Sequence, residues 1–222
     1  DLAYLSKKAR KMLDEAGFPD AVISASNDLD EYLIDSLKVQ GCKITSWGVG
    51  THLITSKDWP SFGGVYKLAA IQDAQSGEFI PKIKLSENSE KITNPGNKKI
   101  YRIYEKDTGK IKADLITLVE ETFDPEQDLT IFDPIETWKK TTLKGGTYEM
   151  REIMVPVFKD GVCVYESPAV MDIRQYAIEE QNTLWDESRR LINPHQVYVD
   201  LSDKLYAMKK QLIQDYSMKI HK

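Results

Sequence analysis

Two stretches decide the fold of this chain: Ala21-Val22-Ile23-Ser24-Ala25-Ser26-Asn27-Asp28, and Lys43-Ile44-Thr45-Ser46-Trp47-Gly48-Val49-Gly50-Thr51. Each is a short apolar run of strand type that ends in small or polar residues, and the two lie about 20 residues apart, the spacing of a (β/α) barrel. Between them, residues 29–39 carry Leu29, Tyr32, Leu33, Ser36 and Leu37 on one face, with Asn27 and Asp28 placed to cap the start. That is the pattern of a connecting helix. Upstream, Leu2, Leu5, Ala9, Met12, Leu13 and Ala16 recur at spacings of three and four, with Lys7, Lys8, Arg10 and Lys11 between them. This predicts an amphipathic helix over 2–16, closed by Gly17. Downstream, Gly63-Gly64 precedes a third apolar run over 65–71. Helix, strand, helix, strand, glycine turn is the grammar of an α/β parallel sheet or barrel. Residues 1–80 therefore read as the closing segments of a partial (β/α) barrel, and because the chain opens on Asp1 already in helical pattern, it reads as a piece of a longer protein.

The grammar changes in residues 81–222. The polar stretch 81–102 contains the turn signal Asn94-Pro95-Gly96. Residues 100–104 and 110–118 alternate around Asp107-Thr108-Gly109, and 153–158 and 162–165 do so around Lys159-Asp160-Gly161. Both are hairpin patterns. Two helices, over 169–191 and 202–218, close the chain, so this part reads as a small α+β extension.

A 41% apolar and 29% charged composition over 222 residues fits a folded globular protein. A formal net charge of −5 argues against broad nucleic-acid binding. Apolar runs such as 65–71 fall far short of the roughly 20 residues that span a bilayer, so no membrane partner is expected. Cys42 and Cys163 are isolated, which predicts small buried hydrophobes in a reducing, cytoplasmic setting and no metal site.

Gly48-Val49-Gly50-Thr51 is the strongest local candidate for chemistry. Two glycines at the end of a strand let main-chain N–H groups converge on an anion, and a threonine hydroxyl adds a donor. The alternative is a tight turn that needs positive φ. Ser26-Asn27-Asp28 ends the preceding strand and faces the same side, where an amide and a carboxylate could hold two ribose hydroxyls; an N-cap and nothing more is the other reading. Asp1, before a helix, carries the same two readings. Lysines between Lys84 and Lys98, with Arg102 and Arg174, are candidate cations for phosphate or ordinary surface charge. His52 follows the glycine loop but reads as structural, as does His195, and His221 lies near the terminus. No Ser-His-Asp set or carboxylate pair stands out.

Taken together, Asp1-Leu2-Ala3-Tyr4-Leu5-Ser6, Ala25-Ser26-Asn27-Asp28-Leu29-Asp30-Glu31, Trp47-Gly48-Val49-Gly50-Thr51 and Gly63-Gly64-Val65-Tyr66-Lys67-Leu68 resemble the nicotinate phosphoribosyltransferase family in order and spacing. Lys84-Leu85-Ser86, Glu90-Lys91-Ile92-Thr93-Asn94-Pro95-Gly96, Ile131-Phe132-Asp133-Pro134 and Asn193-Pro194-His195 extend the resemblance over nearly the whole chain. It implies a type II phosphoribosyltransferase fold, of which this chain is the C-terminal half. It also implies formation of nicotinate mononucleotide and pyrophosphate from nicotinate and phosphoribosyl pyrophosphate in NAD biosynthesis, with Mg²⁺ and coupled ATP hydrolysis. Gly48, Gly50 and Thr51 would grip the 5′-phosphate. Asn27, Asp28 and Asp1 would lie near the ribose hydroxyls. The phosphorylated histidine of the family would lie in the N-terminal half, which predicts that this chain alone does not turn over. A homodimer is the implied assembly. Two alternatives remain: nicotinamide phosphoribosyltransferase, which shares the barrel and glycine turn, and a non-catalytic sugar-phosphate-binding or dimerisation module.

Overall fold

The computed structural model describes residues 1–61, 63–87 and 91–220, the last three of these by backbone alone. The chain divides into two compact units, Asp1–Val65 and Tyr66–Lys222. The sequence grammar changes after residue 80, but residues 66–80 make their contacts within the second unit: Ala69 O, for example, accepts from the N–H groups of Lys82 and Gly96.

The first unit contains α1 (Leu2–Glu15), β1 (Ser24–Ser26), α2 (Glu31–Val39), β2 (Ser46–Gly48) and α3 (Thr51–Ile54). β1 and β2 run parallel, with Ser24, Ala25 and Ser26 opposite Ser46, Trp47 and Gly48, and α2 makes the crossover. Ala3, Ala25, Leu29, Leu37 and Ile44 form the buried core. Two polar side chains fasten the layers. Ser6 Oγ donates to Ala3 O and accepts from Lys43 N at 3.0 Å, and Arg10 donates to Ala21 O at 2.7 Å. Both satisfy main-chain groups that the short strands leave without ladder partners.

The start of α2 differs from the sequence expectation. Its N-cap is Asp30, whose Oδ1 accepts from Leu33 N at 2.7 Å. Asn27 and Asp28 instead take left-handed conformations, with φ of 107° and 42°. Asn and Asp tolerate that region because their short polar side chains bond locally. The turn they make swings Leu29 into the core, where it is fully buried.

The second unit contains β3 (Ala70–Gln72), β4 (Phe79–Pro81), β5 (Lys98–Glu105), β6 (Ile111–Leu118), β7 (Leu129–Phe132), β8 (Lys140–Leu143), β9 (Tyr148–Glu152), β10 (Phe158–Lys159), β11 (Val162–Cys163), α4 (Val170–Thr183), α5 (Asp186–Arg189), β12 (Tyr198–Leu201) and α6 (Asp203–Ile220). Its main sheet has the order β12-β6-β5-β9, in which β12 lies parallel to β6 and the other pairs are antiparallel. Ile103, Ala113, Leu115, Ile131, Leu143 and Tyr148 form one core, and Leu118, Leu201 and Leu205 a second.

Both predicted hairpins form, β5–β6 and β10–β11, the latter turning through Asp160 and Gly161 at φ of 50° and 77°. Three expectations need correction. The run over 65–71 is a strand only at Ala70–Gln72, and it pairs antiparallel with β4. A local turn drives this: Asp73 Oδ1 accepts from Gln75 N and Ser76 N, and Gly77 turns the chain at φ 74°. The helix over 169–191 breaks after Thr183, because Trp185 Nε1 donates to Ile111 O and Lys110 Nζ to Leu184 O, drawing the backbone onto the sheet. Cys163 is exposed, since β11 is too short to bury it, while Cys42 is half-buried.

Candidate functional site

The parallel register puts the ends of β1 and β2 side by side. Ser26 Oγ donates to Gly48 O at 3.2 Å. A Cβ on Gly48 would stand 3.1 Å from Ser26 Cβ, so glycine here allows two strand ends to touch. Neither Gly48 nor Gly50 has a positive φ, which removes the tight-turn explanation for the pair. Gly50 instead precedes α3, and nothing would lie within 4 Å of a Cβ placed on it. The N–H groups of Gly50, Thr51 and His52 donate to no acceptor among the described residues. Gly48, Gly50 and Thr51 are exposed, and His52 is half-buried.

Asn27 and Asp28 leave β1 at the same edge of the pair and are also exposed. The structure thus brings together the glycine loop and the Asn27-Asp28 turn, two points 20 or more positions apart in the chain. Asp1 has the capping contact: its Oδ1 accepts from Tyr4 N at 2.9 Å. Its other carboxylate oxygen accepts no hydrogen bond among the described residues.

Beside the glycine loop lies a cleft of about 470 Å³, walled by Asp30, Val49, His52, Lys57 and Trp59. His52 is held from both sides. Its Nδ1 lies 3.5 Å from Asp30 Oδ2 and its Nε2 3.0 Å from Lys57 Nζ. An ammonium only donates, so Nε2 accepts and the ring proton sits on Nδ1, towards the carboxylate. His52 is thereby a fixture of the cleft wall, as its structural reading holds. Asp30 and Lys57 were not read from the sequence as members of this group. Asp30 carries a usable signal, a capping residue three positions before Leu33; Lys57 carries none.

Of the other candidate cations, Arg102 and Lys98 are bonded within the fold. Arg102 makes a two-pronged bond to Asp114, at 2.8 and 2.9 Å, and reaches Glu180, which also accepts from Arg151. These bonds hold the guanidinium charged well above its ordinary range. Arg174 is exposed on α4. Lys98 donates to Gly96 O, and burial pushes its ammonium below the usual lysine range. Lys67 donates to Lys91 O. Glu90, quoted for the family resemblance, and His221 lie outside the described residues. His195 packs edge-on against Tyr198. Among the described residues no helix is long and apolar enough to cross a membrane, and no group of three or more potential metal ligands occurs.

Comparison with known proteins gives a consistent answer. Over 221 residues the chain is 43% identical to nicotinate phosphoribosyltransferase of Bacillus subtilis (strain 168), covering 99% of this chain and 44% of that protein. It is 37% identical to the Caenorhabditis elegans nicotinate phosphoribosyltransferase, covering 93% of this chain and 37% of that protein. The crystal structure of human nicotinic acid phosphoribosyltransferase superposes with a TM-score of 0.68 over 96% of this chain and 38% of the human chain, at 24% identity, which shows a shared fold. The chain thus spans less than half the length of these relatives. Residues 97–209, which bracket the main sheet of the second unit, match the family described as nicotinate phosphoribosyltransferase C-terminal domain. The chain belongs to the nicotinate phosphoribosyltransferase family and contains its C-terminal domain.

Proposed function

We propose that this chain is the C-terminal part of a nicotinate phosphoribosyltransferase, which forms nicotinate mononucleotide and pyrophosphate from nicotinate and phosphoribosyl pyrophosphate in NAD biosynthesis. The observation that carries this reading is the set of unpaired main-chain donors at Gly50, Thr51 and His52, standing beside Asn27 and Asp28 at one edge of a parallel strand pair. The ends of parallel strands are where α/β folds bind phosphorylated ligands. Here Gly48 and Gly50 let the 5′-phosphate approach the main chain, and Thr51 adds its hydroxyl. Asn27 and Asp28 hold the ribose hydroxyls, and Asp1 contributes its free oxygen nearby.

In the reaction, the pyridine nitrogen attacks C1 of the ribose as the bond to pyrophosphate breaks. The sugar becomes cationic and the leaving oxygens gain charge. What this chain supplies is position: main-chain dipoles grip the phosphate at one end of the sugar, and a carboxylate holds its hydroxyls, so C1 is presented in a fixed place. Mg²⁺ is read as arriving on the diphosphate of the substrate, since such ions keep water and phosphate ligands with only one or two carboxylates. The described residues fit that role, as they offer the carboxylates of Asp1 and Asp28 and no closed metal cage. The rest of the reading comes with the family: ATP hydrolysis coupled through a histidine outside this chain, completion of a type II (β/α) barrel by the remainder of the protein, a homodimer, and a cytoplasmic location.

The test is an assay of the full-length protein with phosphoribosyl pyrophosphate and either nicotinate or nicotinamide. Turnover of nicotinate, stimulated by ATP, is expected; turnover of nicotinamide alone would assign the sister activity. Gly50→Ala adds a second arm. A Cβ there would meet nothing within 4 Å beyond its chain neighbours, so, with folding checked by circular dichroism, KM for phosphoribosyl pyrophosphate should rise about tenfold as the methyl crowds the phosphate. An unchanged KM removes the phosphate seat from this loop.

A further inference from the structure

The second unit holds a pocket of about 290 Å³ on the core face of the main sheet, beside the β7–β8 hairpin. Asp200, on β12, opens into it. The residue is 4% exposed, and its carboxylate accepts no hydrogen bond and joins no ion pair among the described residues. A carboxylate with so little exposure and no bonded partner gains from a cation brought to it through the pocket. The second acid of the pocket, Asp133, follows β7. Its Oδ1 is occupied by the N–H groups of Ile135 and Glu136, its Oδ2 accepts nothing among the described residues, and its charge reaches Asp200.

Three lysines line the pocket as well. Lys112 Nζ is bonded to Glu105 at 2.6 Å, Lys139 to Glu136, and Lys140 lies over the Phe132 ring. The charge of Lys139 also acts on Asp133, whereas no ammonium is bonded to Asp200 among the described residues. Ile131, Leu143 and the Tyr198 ring supply the apolar part of its walls. A hydrated metal ion suits such walls poorly, and no third metal ligand is at hand among the described residues. A compact ammonium on a short hydrocarbon stem suits both the acids and the walls.

We propose that this pocket binds the ammonium group of a small organic amine, seated between Asp200 and Asp133 with its hydrocarbon part against Ile131 and Leu143. The site is built from residues of the second unit alone and does not depend on the transferase reading.

The test uses the full protein and n-butylamine as probe, with n-butanol as its uncharged counterpart and MgCl₂ as the metal arm, followed by calorimetric titration at pH 7.5. Saturable binding of butylamine is expected, at least tenfold tighter than butanol, with no competition from Mg²⁺. Asp200→Asn should weaken it at least tenfold, and Asp133→Asn less. Lowering the pH to 5 should weaken it about tenfold in the unaltered protein, because burial and the Asp133 charge push Asp200 up to about 6 and it is then mostly protonated. This arm needs no variant to fold. The proposal is overturned by equal binding of amine and alcohol, by undiminished binding to Asp200→Asn, by Mg²⁺ displacing the amine, or by no saturable binding up to about 50 mM amine, weaker than any affinity of use.

Discussion

Replacing Gly48 by alanine probes the join between the two strands that the candidate site rests on. The new Cβ would stand 3.1 Å from Ser26 Cβ and 3.2 Å from Ser26 Oγ, where unstrained contacts need about 3.5–4.0 Å. The strand ends must separate by about half an ångström, or Ser26 must turn away and give up its bond to Gly48 O. Overpacking of this size costs about 1–3 kcal/mol and the lost bond about 1 kcal/mol, while the stiffer unfolded chain returns about 0.5–1 kcal/mol. A net loss of about 1.5 kcal/mol is expected in urea unfolding. Because the same shift displaces Gly50 and Thr51, kcat/KM for phosphoribosyl pyrophosphate should fall about tenfold, given that a misplacement of about 1 Å costs about a hundredfold. Ser26→Gly removes the atoms the methyl meets. In a double-mutant cycle the pair should therefore show a favourable coupling of about 1–2 kcal/mol and recover part of the activity. Additive effects, within about 0.5 kcal/mol, would refute the close approach as the reason for glycine at position 48.

Three further predictions concern stability. Asp30→Ala should cost about 1 kcal/mol through loss of the α2 cap, and Asp30→Asn should keep most of it; denaturant midpoints of the two variants decide the matter. Gly145→Ala puts a Cβ 2.2 Å from the main-chain oxygen of Glu126, and backbone cannot step aside as a side chain can, so a loss of about 3 kcal/mol or failure to fold is expected, read by circular dichroism. Asp200 gives the pH dependence. Its carboxyl rises from 3.8 to about 6 in the folded protein, so the folded state binds the proton more tightly. The associated stability is complete below pH 3.8 and is lost as pH climbs through 6. Asp200→Asn should therefore stabilise the protein by about 2 kcal/mol at pH 7.5 and flatten the slope between pH 4 and 6, measured by unfolding across that range.

Much of the candidate site is legible in the residues themselves. Gly48, Gly50 and the Asn27-Asp28 pair announce two strand ends, and parallel pairing then places them together without further information. The start of α2 was harder to read, because Asn27, Asp28 and Asp30 are all good caps and only the left-handed turn at the first two decides among them. The β3–β4 hairpin was masked by its apolar run, whose continuation into the Asp73 turn is a side-chain bonding pattern with no periodicity. β12 is four residues long, and its partner β6 is distant in sequence, so no local pattern marks it. Asp200 follows from that: an acid inside a strand reads as solvent-facing until the neighbouring strand is known.

The parallel pairing of β12 with β6 also dictates an order of events during synthesis. The β5–β6 hairpin can zip as soon as it leaves the ribosome, but the opposite flank of β6 stays open while residues 119–197 are made. Only then do Leu201 and Leu205 arrive to cover Leu118. A message cut short before residue 198 would release a polypeptide with a naked sheet edge, a natural target for quality-control proteases and a seed for clumping.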